Sequence, residues 1–305
     1  MGTAGTHLNL WSMARRGVWR KLPPRCGLRD CIHARSWWRR LRLAPPAVLM
    51  QGLRYCADSC LERALANALP PEQPARKHVA GPHRVPLGLL LLSRQHVTPE
   101  QLRAALEAQR SAGRGRIGEW LQALGFVNQQ QVTAALARQW GCPVFRPDSL
   151  PLPAPGRIPQ IPLALLRSFL MVPVAYTAAT STLHMAFSER IDYSVLYALE
   201  QMLGCRTEPS LAAPSFLAMR LQRLAEEPEE TEILFDQVAD VAEFARIVHS
   251  YSLRVAASEI RLEKCGRQVW VRLFRPAARP LDLLLRWPGE TTHSLFATEP
   301  AAPSV

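Results

Sequence analysis

The sequence predicts an α+β fold in which a duplicated helical repeat is followed by a small α/β subdomain. A cysteine-rich segment precedes the repeat, and a second α/β segment follows the subdomain. Three observations predict this arrangement. One helical pattern occurs twice within residues 87–139, the pattern becomes strand-like after residue 141, and four of the seven cysteines form two short-spaced pairs before the repeat.

The helical repeat has a period of thirty residues, since Gly88 aligns with Gly118 and the later landmarks keep that offset. The first copy contains Leu87, Gly88, Leu91, Leu92, Val97, Leu102, Leu106 and Gln109. The second contains Ile117, Gly118, Leu121, Gly125, Val127, Val132, Leu136 and Gln139. Apolar residues four positions apart give each longer helix one apolar face. Each copy is therefore predicted to form a short helix, a turn and a longer helix. The two copies are predicted to pack against each other.

Both longer helices begin with capping signals. Thr98 is followed by Pro99 and then Gln101, and Asn128 is followed by Gln131 at the same spacing. The cap oxygen accepts a bond from the third helical N–H, and the glutamine returns one to the cap. Proline also presets φ at the first helical position.

Together the copies resemble the N-terminal domain of the type II secretion and type IV pilus assembly ATPases. That family's motif begins Arg-Leu-Gly, continues with two aliphatic residues and a Gly-x-Ile turn, and ends Leu-x-x-x-Leu-x-x-Gln, twice over. Some members bind cyclic di-GMP, with one motif on each half of the dinucleotide. The resemblance implies these ligand contacts: Arg116, Ile117, Gly118, Leu121, Gly125, Val132, Leu136 and Gln139 in the second copy, and Leu87, Gly88, Leu91, Leu92, Leu102, Leu106 and Gln109 in the first.

The first copy departs from the motif twice. Pro86 stands where the family has arginine, and Gln95 stands where it has the turn glycine. Proline offers neither a guanidinium nor a backbone donor, and the turn prefers a positive φ. The second copy keeps Arg116, whose planar guanidinium can stack on guanine or bond a phosphate. Any cyclic di-GMP binding is therefore predicted to be weak and to depend mainly on the second copy.

Two further features have alternative interpretations. Gly118 and Gly125 either let the backbone approach a base or phosphate closely, or only mark the boundaries of the helices. His83 or Arg84 either takes the place of the missing arginine, or is a plain linker residue.

Two short-spaced cysteine pairs lie before the repeat. They are Cys26 with Cys31 and Cys56 with Cys60. Four thiolates can close a tetrahedral zinc site, and a segment this short gains stability from a metal that its core cannot supply. The segment is therefore predicted to be zinc-ribbon-like with a structural zinc ion. His33 is an alternative ligand, and a degenerate site without metal is the other interpretation.

The net charge of +12 is concentrated at the start of the chain, where arginines outnumber Asp30 and Asp58. Such a block favours an anionic partner, such as nucleic acid, an acidic membrane surface or an acidic protein, or is a solvated leader. No apolar run is long enough to span a bilayer, and no secretory signal pattern is present. The chain is therefore predicted to be cytoplasmic, with peripheral membrane contact as an alternative.

The chain divides into eight predicted segments. They are a basic leader (1–22), the cysteine segment (23–69), a linker (70–86), the repeat (87–141), the α/β subdomain (142–224), an acidic linker (225–232), the C-terminal α/β segment (233–289) and a tail (290–305). The subdomain is predicted to contain strands at 141–145, 171–176, 183–187 and 205–208, and helices at 163–169, 191–203 and 216–224. The C-terminal segment resembles the start of the ATPase portion of the same family, with Glu259 and Arg261 replacing its Asp and His.

No pattern typical of an enzyme is present. There is no Gly-x-x-x-x-Gly-Lys-Ser/Thr, and the glycine-rich run 113–118 follows a predicted helix and lacks the lysine. There is no His-Glu-x-x-His, no Gly-x-Ser-x-Gly and no evident cysteine–histidine pair.

The sequence therefore predicts a non-catalytic regulatory or adaptor protein that contacts secretion or pilus assembly machinery and binds cyclic di-GMP. The alternatives are the same fold with a degenerate ligand site, acting only by protein–protein contact, and a zinc-dependent nucleic-acid binder, which lacks a recognition helix or stacking platform.

Overall fold

The computed structural model describes residues 26–31, 48–69, 84–147, 158–226 and 232–287. The predicted leader, the tail, His33 and most of the 70–86 linker lie outside the described residues. Within them the chain has nine helices and nine strands, which confirms the predicted α+β class. The helices are α1 (Asp58–Ala68), α2 (Leu87–Ser93), α3 (Pro99–Ala112), α4 (Ile117–Ala123), α5 (Gln129–Trp140), α6 (Leu163–Ser168), α7 (Tyr193–Leu203), α8 (Pro214–Glu226) and α9 (Val241–Arg254). The strands are β1 (Leu49–Met50), β2 (Leu53–Arg54), β3 (Met171–Thr177), β4 (Thr182–Phe187), β5 (Arg206–Leu211), β6 (Glu232–Phe235), β7 (Glu259–Cys265), β8 (Gln268–Phe274) and β9 (Leu281–Arg286).

The duplicated repeat forms two helix pairs, α2 with α3 and α4 with α5. Both predicted capping boxes are present. The Gln101 N–H donates to Thr98 Oγ1 at 3.3 Å, and the Gln131 N–H donates to Asn128 Oδ1 at 2.9 Å. The two glutamine side chains accept the return bonds at 2.9 and 2.8 Å. These local signals fix where both longer helices begin.

The α/β subdomain contains a three-stranded sheet in the order β3–β4–β5. Strands β3 and β4 are antiparallel, and α7 carries the chain back so that β5 lies parallel to β4. The predicted strand at 141–145 is wrong, because Val144 forms only an isolated bridge to Leu211. Pro143 has no N–H to donate, so this segment contributes just two backbone bonds to the sheet edge.

A six-stranded sheet, in the order β2–β1–β7–β8–β9–β6, unites the two ends of the described chain. Strand β1 from the cysteine segment lies parallel to β7, with Leu49 opposite Glu259 and Met50 opposite Ile260. Helix α1 packs against α9, and fully buried Leu65 shares a core with Phe244. Strand β6 begins at Glu232, inside the predicted acidic linker, and pairs with β9. The cysteine segment is thus built into the C-terminal sheet, a pairing that the sequence did not predict.

A buried polar network lies where the two sheets share a core. Arg272 donates from Nε and Nη2 to the Asp282 carboxylate at 2.8 Å, and both side chains are buried. Trp270 Nε1 donates to the same carboxylate at 2.8 Å, and Arg272 also donates to the Gln160 carbonyl at 2.7 Å. Because every partner is hydrogen-bonded, the charges are tolerated inside the core.

Candidate functional site

The loops that open the two copies are held by reciprocal hydrogen bonds. Gln109, which ends the first motif, donates to the Gly115 carbonyl at 2.9 Å. Gln139, which ends the second motif, donates to the Val85 carbonyl at 2.7 Å. Val85 and Gly115 are equivalent at the thirty-residue offset. Each motif's final glutamine therefore positions the loop that precedes the other copy.

The apolar motif residues form the core between the helix pairs. Leu91 and Leu121 are fully buried, and Val132 is 8% exposed. A Cβ at Gly88 would lie 2.8 Å from the Leu102 side chain, and one at Gly118 would lie 3.1 Å from the Leu87 side chain. The missing side chains at these glycines thus permit close helix packing. A ligand can reach this set of residues only if the helices separate.

The other motif residues are more accessible. The half-buried ones are Leu87, Leu92, Leu102, Leu106, Gln109, Ile117, Leu136 and Gln139, and the exposed ones are Arg116 and Gly125. Both turns adopt the predicted left-handed conformation, with φ of 56° at Gln95 and 72° at Gly125. The first copy therefore keeps the turn geometry despite losing its glycine.

Arg116 is the exposed cation of the intact second motif. It occupies the N-cap of α4, and its backbone N–H donates to the Glu119 carboxylate at 3.0 Å. Its side chain is 59% exposed, and the guanidinium forms an ion pair with Glu189, which follows β4 in the α/β subdomain. Pro86 occupies the equivalent N-cap of α2 and makes no side-chain cap bond.

An open cleft of about 480 Å³ lies beside this ion pair, between the repeat and the subdomain. We call it the Arg84 cleft; its lining residues are Arg84, Trp140, Arg190, Ile191, Asp192, Tyr193 and Ser194. The Arg84 Cζ atom lies 3.3 Å from the centroid of the Trp140 ring, and the Tyr193 ring lies 6.5 Å from Trp140. Trp140 Nε1 donates to the Glu189 carbonyl at 3.0 Å. Glu189 therefore contacts Arg116 through its side chain and the cleft wall through its backbone.

The four cysteines of the N-terminal segment converge, as predicted. All four Sγ atoms lie within 4.8 Å of one another. The Cys31–Cys56, Cys31–Cys60 and Cys56–Cys60 sulfur separations are 3.3, 3.7 and 3.8 Å. A zinc tetrahedron with bonds of about 2.3 Å has sulfur–sulfur edges of roughly 3.8 Å, so these separations fit a Cys₄ zinc site.

Local structure holds the cysteine cluster against the C-terminal helix. Backbone Gly27 donates to the Arg54 carbonyl at 2.7 Å, which ties the loop of the first pair to β2. His249 of α9 lies between Asp58 and Glu62 of α1, with nitrogen–oxygen separations of 3.5 and 2.9 Å. Burial raises the pKa of the Cys60 thiol, so a metal bound here must displace thiol protons.

Several residues of the site carry no local signal in the sequence. Glu189, Arg190 and Tyr193 lie about fifty residues or more beyond the second motif's final residues, and only the packing of the subdomain on α5 brings them to Arg116 and Trp140. The described helices are all too short or too polar to cross a membrane.

Structure comparison finds similarity to solved structures of two proteins, MshE and XpsE. A structure of MshE with cdg (cyclic di-GMP) is 29% identical, covers 46% of this chain and 99% of that chain, and has a TM-score of 0.39. The N-terminal domain of XpsE is 20% identical, with 45% and 92% of the chains covered and a TM-score of 0.35. Its I4122 crystal form is 21% identical, with 44% and 90% covered and a TM-score of 0.29. No family model and no curated protein matches.

Proposed function

We propose that this chain is a non-catalytic regulatory or adaptor module of a type II secretion or type IV pilus system, acting in the cytoplasm and binding cyclic di-GMP. The observation that carries the proposal is the intact second motif, in which Arg116 is exposed and its loop is fixed by Gln109. The guanidinium offers a flat face to a guanine and a fork of donors to a phosphate. The resemblance to the secretion ATPase domain supplies the ligand class.

The ion pair between Arg116 and Glu189 sets the free state of this site. Surface ion pairs of this kind contribute about 0–1 kcal/mol, so a ligand phosphate can displace the carboxylate at small cost. The carboxylate also competes with an anionic ligand. Glu189→Gln is therefore expected to tighten cyclic di-GMP binding by up to about fivefold, the factor that corresponds to about 1 kcal/mol.

Substitution of Arg116 tests the proposal. Loss of a charge-assisted contact costs about 1.5–3 kcal/mol, so Arg116→Ala is expected to weaken cyclic di-GMP binding roughly ten- to a hundredfold in calorimetric titration. Arg114→Ala is the matched control, because Arg114 is an exposed arginine two residues earlier in the same loop. Equal affinity in the two variants would mean that the ligand does not use the second motif.

The second candidate is the same fold with a degenerate ligand site, acting only by protein–protein contact. Pro86 at the first motif's arginine position favours it, as does the complete burial of Leu91 and Leu121. Under this candidate wild-type protein gives no saturable titration with cyclic di-GMP. Contact with secretion or pilus machinery is part of both candidates.

We also propose that Cys26, Cys31, Cys56 and Cys60 hold one structural zinc ion. The sulfur separations and the four-thiol donor set support this proposal. Zinc would supply a rigid tetrahedral cross-link and no redox chemistry. With four protein ligands the ion has no open position, so its role is structural.

A further inference from the structure

We propose that the Arg84 cleft is the second half of the ligand site, where Arg84 and Arg190 bind the base and phosphate that Pro86 cannot hold. This inference rests on the proposed function, because it concerns the other half of the same cyclic dinucleotide. It assigns the missing contacts to the segment before the first copy and to the α/β subdomain. The ligand would thus bridge the two parts of the chain.

Position in the chain supports this role for Arg84. It lies two residues before Pro86, in the loop that Gln139 holds through the Val85 carbonyl. Its equivalent in the second copy is Arg114, at the thirty-residue offset. The two equivalent arginines have different surroundings, because only Arg84 lines the cleft. The difference arises from Trp140, which ends α5 beside the loop of the first copy.

Stacking on Trp140 presents the Arg84 guanidinium for binding. A separation of 3.3 Å between Cζ and the ring centroid permits only a near-parallel stack. The indole ring covers one face of the guanidinium, so the other face and the N–H edges remain for a ligand in the cleft that both residues line. A planar base can stack on that face, and a phosphate can accept from those edges. The stack also restricts the orientations open to the Arg84 side chain.

Charge in the cleft favours an anion. Arg190 makes no ion pair within the part of the chain that the structure describes. The one acidic lining residue, Asp192, accepts bonds from the Ser194 N–H and hydroxyl at 3.0 and 2.6 Å. The cleft therefore holds two guanidinium groups, of Arg84 and Arg190, and one carboxylate, of Asp192, which already caps α7. The nearby Glu189 carboxylate is paired with Arg116.

The size and walls of the cleft fit half of a dinucleotide. Its volume of about 480 Å³ lies within the range of roughly 300–1,000 Å³ that small-molecule sites occupy. Trp140 and Tyr193 form aromatic walls, and Tyr193 is 55% exposed. Glu189 lies between the cleft and Arg116. One ligand can therefore contact both Arg84 and Arg116 once it displaces the surface ion pair of Arg116 with Glu189.

Titration of the full chain with cyclic di-GMP tests this inference. Arg84→Ala is expected to weaken binding about tenfold or more, because a charge-assisted contact is lost. Arg114→Ala, the equivalent substitution outside the cleft, is expected to leave the affinity unchanged. Both residues are exposed, so neither change should impair folding. If Arg84→Ala binds as tightly as Arg114→Ala while Arg116→Ala is impaired, this inference is overturned and the proposed function stands.

Tryptophan fluorescence gives a second measurement on the same proteins. Ligand stacked beside Trp140 is expected to quench part of the emission, and Trp140→Phe should lose that quenching while keeping an aromatic wall. Quenching that persists undiminished in Trp140→Phe would place the ligand elsewhere and overturn the inference. Absence of any binding by the wild type would overturn the proposed function itself, and this inference with it.

Discussion

Removing the zinc ion proposed for the cysteine cluster is expected to destabilise the whole C-terminal sheet. The reason is that β1 pairs with β7, and α1 buries Leu65 against α9. Cys31 and Cys56 are 25 residues apart, so a metal that joins them closes a loop of that length. The chain-entropy relation for such a cross-link gives about 3.5 kcal/mol at 25 °C. Detachment of α1 would expose Leu65 and add about 1.5–3 kcal/mol.

Urea unfolding with and without a strong chelator measures this effect. Trp270 lies in β8 and Trp287 directly follows β9, so the part of the emission that these two of the eight tryptophans contribute follows unfolding of the sheet. Metal analysis of protein purified without chelator should find about one zinc per chain. Chelator and Cys60→Ser are each expected to lower the unfolding midpoint, and the chelator should have no further effect on Cys60→Ser. Cys142→Ser, outside the cluster, should retain the metal. If the purified protein is free of metal and its unfolding midpoint is the same with and without chelator, the cluster does not stabilise the sheet through a metal.

Three further outcomes are expected. The purified chain should not hydrolyse ATP, because no phosphate-binding loop is present; turnover that follows the chain through stringent purification would contradict the adaptor role. Arg272→Ala should lower the free energy of unfolding in urea by about 3–5 kcal/mol, since it leaves buried Asp282 without its cation. Arg272→Met combined with Asp282→Leu should lower it less, because no unpaired charge remains in the core. Equal losses of stability in the two variants would show that the unpaired charge is not the cause. Cys56 is exposed whereas Cys265 is buried in the core, so alkylation of folded, chelated protein at neutral pH should label Cys56 and spare Cys265, as peptide mass spectrometry would show; equal labelling would mean that the core opens.

Features with local signals could be predicted from the sequence. The caps at Thr98 and Asn128 specify where α3 and α5 begin, because a side chain and a backbone group a few residues apart form the whole interaction. The cysteine cluster was also predictable, because thiol spacing directly limits which sulfurs can share a metal.

Features that depend on distant contacts could not be predicted. Strands β1 and β2 have two residues each, too few to show an alternating pattern, and the partner of β1 lies about 210 residues away. The ion pair of Arg116 with Glu189 arises only when the subdomain packs on the repeat. The spacing of apolar residues also cannot distinguish an apolar surface that contacts a ligand from the core between two helices. Leu91 and Leu121 match the ligand motif and the helical stripe equally well, and the structure buries them completely.

Binding of cyclic di-GMP by the duplicated repeat, as proposed, is tested most directly by calorimetric titration of the wild-type 305-residue chain. Cyclic di-AMP is the matched comparison ligand, because it has the same phosphates but lacks the O6 acceptor that an arginine recognises on guanine. We expect saturable, weak binding of cyclic di-GMP and much weaker binding of cyclic di-AMP. No saturable heat with cyclic di-GMP, or equal affinity for the two ligands, would contradict it.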